Sequence, residues 1–396
     1  MSIPWSKLFS RQVLLLTFSV AIVGSNSLIL SPIASEIAAS FGGIAASQVM
    51  YAASAFGLGV ALSAFFLSPL VDRVGAERAL SAALGLMVLA MAGSALSQSL
   101  LMLVGFQALV GVAAGLALPS CYALGAQVAP KGAEARTLGI ILFGWTISMV
   151  AGVSFSALLA DLSNWRVVFA LLGLLAAGLL PLILLTQEWG ERPPRDADQK
   201  SSPIAGFKVP GIGRGLMIVV AFMGAFYGLY AFAGSHVTDT LGLSTTMAAL
   251  VPLAYGIGFG LAVPLDDLID RLGQDRVALG LFPILAMTYI AVGLASNQFW
   301  VFILLCLIWG LFNHVGVNLV VGRLIALSPK KRGAILGIYS TTTYLAMMSA
   351  SAGFKLIFDV WGLLWCSLFA AGLILIAAGD AVLRAIAPAA RPNEDS

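Results

Sequence analysis

The side chains able to do chemistry are few. Only two of the 396 residues are histidine. His314, beside Asn313 and near Asn318 in an apolar stretch, belongs to the residue type whose ordinary pKa of about 6.5 allows proton exchange near neutrality. It could equally be a hydrogen-bonded packing group. His236 and Asp239 form a second spacing able to hold a proton, or a plain exposed turn. Asp72-Arg73-Val74-Gly75-Ala76-Glu77-Arg78 and Asp270-Arg271-Leu272-Gly273-Gln274-Asp275-Arg276 each set an acid and bases around a glycine, suited to pairing charges at helix ends. Asp266-Asp267-Leu268-Ile269-Asp270 spells DDxxD, a pattern that can hold Mg²⁺ and a diphosphate, but it stands alone, without HExxH or GxSxG. Cys121, Cys306 and Cys366 lie singly in apolar runs and are expected to pack rather than bind metal.

The elements that hold these residues follow from composition. The chain is 60% hydrophobic and 10% charged, against roughly 45–50% and about 25% in soluble domains. A soluble fold is excluded, because 21 Lys+Arg and 18 Asp+Glu, bunched in short intervals, cannot solvate a surface of this size. A bilayer core about 30 Å thick takes about 20 apolar residues of helix. Twelve such windows are expected, at residues 12–33, 48–68, 79–97, 100–122, 138–159, 166–186, 213–234, 246–265, 276–295, 299–322, 333–354 and 363–385. Windows such as Leu171 to Leu185 do not alternate, which excludes a transmembrane barrel. The first window is too long for a signal peptide and is read as a retained helix.

With the N-terminus in the cytoplasm and twelve spans, all of the 21 basic residues except Arg166 and Lys355 fall on the cytoplasmic side. This obeys the positive-inside rule and places both termini in the cytoplasm of a cytoplasmic (inner) membrane. The net charge of +3 therefore fixes topology beside anionic lipid and implies no nucleic-acid partner. The Pro-, Ser- and charge-rich stretch 187–212 reads as a cytoplasmic linker between residues 1–186 and 213–396.

The two parts can be laid on each other. Besides the Asp-Arg loops, Pro130-Lys131 matches Pro329-Lys330, Leu138-Gly139 matches Leu336-Gly337, Asp161 matches Asp359 and Gly111 matches Gly310, all 198 or 199 residues apart. The fold class expected is an all-α membrane protein of about twelve transmembrane helices in two pseudo-symmetric six-helix bundles.

Ser68-Pro69-Leu70-Val71-Asp72-Arg73-Val74-Gly75-Ala76-Glu77-Arg78 resembles the loop motif GxLaDrxGrkxxL of the major facilitator transporters, departing from it at Ser68 and Ala76. Asn164-Trp165-Arg166-Val167-Val168-Phe169 resembles the "gWR.aF" signature of the twelve-helix proton-driven drug-efflux branch, which also holds sugar and nucleoside exporters. The resemblance covers essentially the whole chain. It implies the major facilitator fold, alternating access, and a gating role for Asp72, Arg73, Gly75, Arg78, Asp270, Arg271, Gly273 and Arg276; simple anchoring of helix ends is the other reading. It further implies efflux of a small organic molecule by a monomer, driven by the proton gradient without a cofactor. Three departures bear on that mechanism. The first span carries Ser25-Asn26-Ser27 where relatives carry a carboxylate, Gln107 stands where the efflux branch has Arg, and Gly152 is followed by Val153 instead of Pro.

No Asp or Glu is expected near the middle of any span, which leaves His314 with Asn318 as the proton candidate. Asn26, Gln107, Ser148, Gly152, Tyr227, Tyr230 and Thr342 are expected to line the pathway, although small residues and aromatics in spans also simply pack. So little interior charge favours an uncharged or amphipathic solute. An uptake symporter or facilitated-diffusion carrier is the alternative, and a polytopic enzyme a remote one. A pore is disfavoured by the pseudo-symmetric halves.

Overall fold

A computed structural model of the chain describes residues 9–67, 71, 74–130, 134–186, 189, 206–262, 265, 272–328 and 332–386. Asp72, Arg73, the DDxxD run, Arg271 and most of the expected linker lie outside them.

Twelve helical rods and no strand occur among the described residues. The first six are α1 (Arg11–Ser40), α2 (Ala46–Phe66), α3 (Ala76–Ala95), α4 (Leu100–Val128), α5 (Glu134–Leu142, Gly144–Ile147, a π-helical Ser148–Val153 and Ser154–Leu162) and α6 (Trp165–Leu184). The second six are α7 (Ile212–Ser235, continued by a π-helical His236–Thr240), α8 (Thr245–Ala248 and Leu250–Leu261), α9 (Gln274–Leu294), α10 (Phe299–Ala326), α11 (Arg332–Trp361) and α12 (Leu363–Ile386). Ten are long and apolar enough to cross a membrane. The exceptions are α8, which is short, and α11, whose Ser340-Thr341-Thr342-Thr343 run dilutes 30 otherwise spanning residues. Leu89, Leu101, Trp300 and Leu383 are exposed on the outside, as lipid-facing side chains should be.

The expected windows match the rods, with differences at their ends. The first runs on to Ser40, adding about two turns that carry Ser35 and Glu36, and α11 continues to Trp361. The fifth is interrupted by its π-helical stretch, which no local sequence rule announces. Side-chain caps on Ser10, Ser99, Asn164 and Ser244 fix where α1, α4, α6 and α8 begin.

The duplication is visible in how helices cross. A Cβ on Gly59 of α2 would lie 2.2 Å from the Ala108 carbonyl of α4, and one on Gly111 of α4 would lie 2.2 Å from the Phe56 carbonyl. In the second half, Gly258 meets the Leu307 carbonyl at 1.9 Å and Gly310 meets the Tyr255 carbonyl at 2.0 Å. Each residue of the second set is 199 positions after its counterpart, so α2/α4 and α8/α10 are one crossing built twice. Both crossings rest on bare backbone contact between helices, which only glycine permits. Gly258 is thus a packing residue.

Candidate functional site

Where α1 and α2 meet α7 and α11, a narrow cavity lies between the halves, walled by Ser27, Ser31, Met50, Tyr227, Tyr230 and Ser351. Beside it the second half carries a continuous aromatic group. Phe226 stacks on Tyr255 at 5.2 Å, Tyr255 meets Trp309 edge-on at 4.8 Å, and Phe226 lies 4.9 Å from Tyr227. Asn313 Nδ2 donates to the Tyr255 hydroxyl at 2.6 Å. His314 sits edge-on to Phe259 at 4.6 Å, and Asn318 Nδ2 lies 3.1 Å from its Nε2. These groups come from α7, α8 and α10, brought together by the Gly258 and Gly310 crossing.

The Asn313 carbonyl oxygen and the Tyr230 hydroxyl are buried without a hydrogen-bond partner among the described residues. Leaving such atoms unmatched costs about 1–3 kcal/mol each. Of this group only Tyr227 and Tyr230 line the cavity, while Tyr255, Trp309 and Asn313 are buried behind them.

In the first half, Asn26 Nδ2 donates to Gln107 Oε1 at 3.0 Å, and Gln107 Nε2 donates to Ser94 Oγ at 3.1 Å. The two sequence candidates Asn26 and Gln107 thus form one uncharged relay joining α1, α4 and α3. Ser148 and Gly152 face α1 rather than the cavity. A Cβ on Gly152 would come within 1.9 Å of Ser25 Oγ, and Ser148 Oγ donates to the Trp145 carbonyl. The small residues of α5 therefore serve close packing here. Thr342 is half-buried on α11.

The end of the molecule far from the chain termini is closed by polar contacts between the halves. Ser31 Oγ donates to the Tyr230 carbonyl at 2.6 Å and accepts from Gly234 N–H at 3.3 Å. Ser35 meets both Thr238 and Asp239, Thr245 Oγ1 donates to Glu36 at 2.8 Å, and Thr246 donates to Asp161. Between described residues of the two halves, the hydrogen bonds gather at this end. His236 and Asp239, read together in the sequence as a proton-binding pair, are engaged separately. His236 Nε2 lies 3.1 Å from the Ser296 carbonyl, whereas Asp239 accepts from Ser35 and Thr238. His236 is buried, whereas Asp239 is exposed on the π-helical end of α7.

At the opposite end, Gly75 and Gly273 cap α3 and α9 with positive φ of 96° and 83°, a backbone conformation that glycine permits. Arg78 and Arg276 are exposed at the starts of those helices. Sequence reasoning missed Asp380, which is buried near the end of α12 among Arg214, Arg323 and Arg384. Its i,i+4 spacing to Arg384 was the available signal, but these basic residues had been read only as topology determinants.

The model of the Major Facilitator Superfamily matches residues 14–351. Over 368 residues, covering 92% of this chain and 89% of the relative, the sequence is 27% identical to the uncharacterized MFS-type transporter YwfA of Bacillus subtilis (strain 168). It is 26% identical over 215 residues, 54% of this chain and 52% of the relative, to a probable sugar efflux transporter of Pasteurella multocida (strain Pm70). Among solved structures, a D-xylose-proton symporter superposes with a TM-score of 0.76 at 17% identity, covering 93% of this chain and 96% of that one. The xylose transporter XylE from E. coli, in a partially occluded inward open conformation, gives 0.75 at 15% identity, covering 97% and 98%.

Proposed function

The chain belongs to the Major Facilitator Superfamily, and from that premise we propose that it is a secondary carrier exporting an uncharged, polyhydroxylated small molecule of sugar type by alternating access. The observation that carries this reading is the aromatic group of α7, α8 and α10, which reaches the inter-half cavity through Tyr227 and Tyr230 and has the unpartnered Asn313 oxygen and Tyr230 hydroxyl within it. Sugar rings offer flat C–H faces to Tyr227 and Tyr230 and hydroxyls to the polar groups around them, and no charged side chain among the described residues lines the cavity to demand an ionic partner. A relative named as a probable sugar efflux transporter supports both solute class and direction.

In this reading the protein works as a monomer in the cytoplasmic membrane with both termini in the cytoplasm. The latched end then faces outward. Exchange of the latch for contacts at the Gly75 and Gly273 loops, with Arg78 and Arg276, switches access. His314, held by Asn318 against Phe259, takes the proton that drives export.

A second reading, facilitated diffusion, is favoured by the Asn26–Gln107 pair. A neutral amide pair cannot take up a proton, so the first half supplies no coupling group there.

Everted vesicles from cells overproducing the protein, assayed with a panel of labelled pentoses, hexoses and disaccharides, test the proposal. A saturable signal for a neutral sugar is expected, and exclusive transport of organic ions would overturn it. Adding and collapsing the pH gradient separates antiport from facilitated diffusion.

A further inference from the structure

The ends of α7, α9, α10 and α12 nearest the chain termini hold a charged group that the carrier reading does not use. Asp380 is 5% exposed. Arg214 Nε donates to one of its carboxylate oxygens, and Arg384 Nε donates to the other at 2.9 Å. Arg323 Nη1 lies 3.7 Å from the same second oxygen. Arg323 Nη2 donates to Asp275 at 2.8 Å and also reaches the Gln274 carbonyl.

Among the described residues, three guanidinium groups therefore share two carboxylates, leaving one positive charge in excess. Arg323 is largely enclosed, with 11% of its side chain exposed, yet its Nε has no hydrogen-bond partner among the described residues. The Nη groups of Arg384 make no hydrogen bond within the described chain, and both Arg384 and Arg214 are partly exposed. A cleft opens directly against Arg323, Arg384 and the Asp380 they hold, with apolar walls from Gly215, Phe282, Val320 and Leu324.

The duplication does not produce this arrangement. The positions 198 residues earlier than Arg214, Asp380 and Arg384 are Leu16, Leu182 and Thr186, so the first half carries no equivalent charges there. A buried group of charges added to one half of a repeated scaffold, with donors to spare, is more than helix-end anchoring requires.

We propose that Arg214, Arg323 and Arg384 form a binding site for a phosphate-type oxyanion. Guanidinium forks match the oxygen spacing of phosphate, and the unused Nε and Nη donors supply the hydrogen bonds. Two sources share this chemistry: the phosphodiester of an anionic lipid whose acyl chain enters the apolar cleft, and free inorganic phosphate.

The test is thermal unfolding of the full-length purified protein in a neutral detergent, titrated with phosphatidylglycerol, with phosphatidylcholine or with inorganic phosphate. The unfolding midpoint should rise with phosphatidylglycerol and not with phosphatidylcholine. The concentration giving half of the rise should increase about tenfold in Arg384→Gln and Arg214→Gln, the scale of one charge-assisted hydrogen bond. Lys208→Gln, which removes an exposed basic residue at the same end, should leave it unchanged. A rise with phosphate alone, lost in the same variants, assigns the site to the free anion; a rise with lipid alone assigns it to the headgroup. Identical titrations for wild type and both arginine variants, or no rise with either phosphate compound, would overturn the proposal. Native mass spectrometry of the wild-type protein reads the same question without a variant: one phosphatidylglycerol retained in preference to phosphatidylcholine, or one phosphate retained where the free anion is the ligand, is expected, and no preference for the lipid together with no bound phosphate contradicts it.

Discussion

Asn26 and Gln107, 81 residues apart in sequence, are hydrogen-bonded side chain to side chain at 3.0 Å inside the first half, and Gln107 passes the contact on to Ser94. All three groups are neutral and buried. The pair locks α1 to α4 without a charge, where the sequence resemblance implied an acid and an arginine.

Breaking this relay on one side should be worse than removing it whole. Gln107→Leu strands the Asn26 amide and should lower stability by ~1–3 kcal/mol, whereas Asn26→Leu combined with Gln107→Leu should recover part of that loss. Thermal unfolding in detergent of the two single variants and the double variant measures the difference.

The repeated crossings predict matched effects in the two halves. Gly111→Ala and Gly310→Ala each drive a methyl group into a carbonyl of the facing helix, 2.2 and 2.0 Å from the ideal Cβ position. Each should destabilise by ~1–3 kcal/mol through helix displacement. Gly310→Ala should additionally weaken solute binding, because α10 carries Trp309 and Asn313. Unfolding midpoints and equilibrium binding of the transported solute separate the two consequences.

The contacts at the far end predict a change in access. Thr245→Val removes the donor to Glu36, and Ser35→Ala removes a donor to Asp239. Together they should shift the population toward the outward-open state by about fivefold, the equivalent of roughly 1 kcal/mol of net hydrogen bonding. A cysteine at Ser351, on the cavity wall, should then react correspondingly faster with an impermeant maleimide added from outside.

His314 should matter for driving force and not for passage. His314→Gln retains an amide able to meet Asn318 but cannot exchange a proton near neutrality. Export driven by a pH gradient should fall to the gradient-free rate, while exchange of labelled for unlabelled solute continues. Loss of both activities together would make His314 part of solute binding instead.

The rods were legible because lipid forces about 20 apolar residues into each crossing, and the duplication because its loops repeat at 198–199 residues. Which face each side chain takes was not. Ser148 and Gly152 carry the small-residue pattern of either a pathway or a packed interface, and only the positions of Gly24 and Ser25 decide for packing. Phe226, Tyr227 and Tyr230 were visible on one helix, but their partners Tyr255 and Trp309 come from α8 and α10 through a backbone approach that no local pattern encodes. Asp380 was overlooked because a charge near a span end looks like topology until three arginines from three helices converge on it.

Counterflow in proteoliposomes tests the central claim most directly. Vesicles preloaded with an unlabelled neutral sugar that the protein transports should take up the labelled sugar transiently above equilibrium, with no pH gradient present. Replacing the buried amide and ring of the aromatic group, in Asn313→Leu and Trp309→Leu, should abolish that overshoot while the protein still folds. Flux that never overshoots and never saturates, or an overshoot indifferent to both substitutions, would contradict alternating access through the aromatic and amide site.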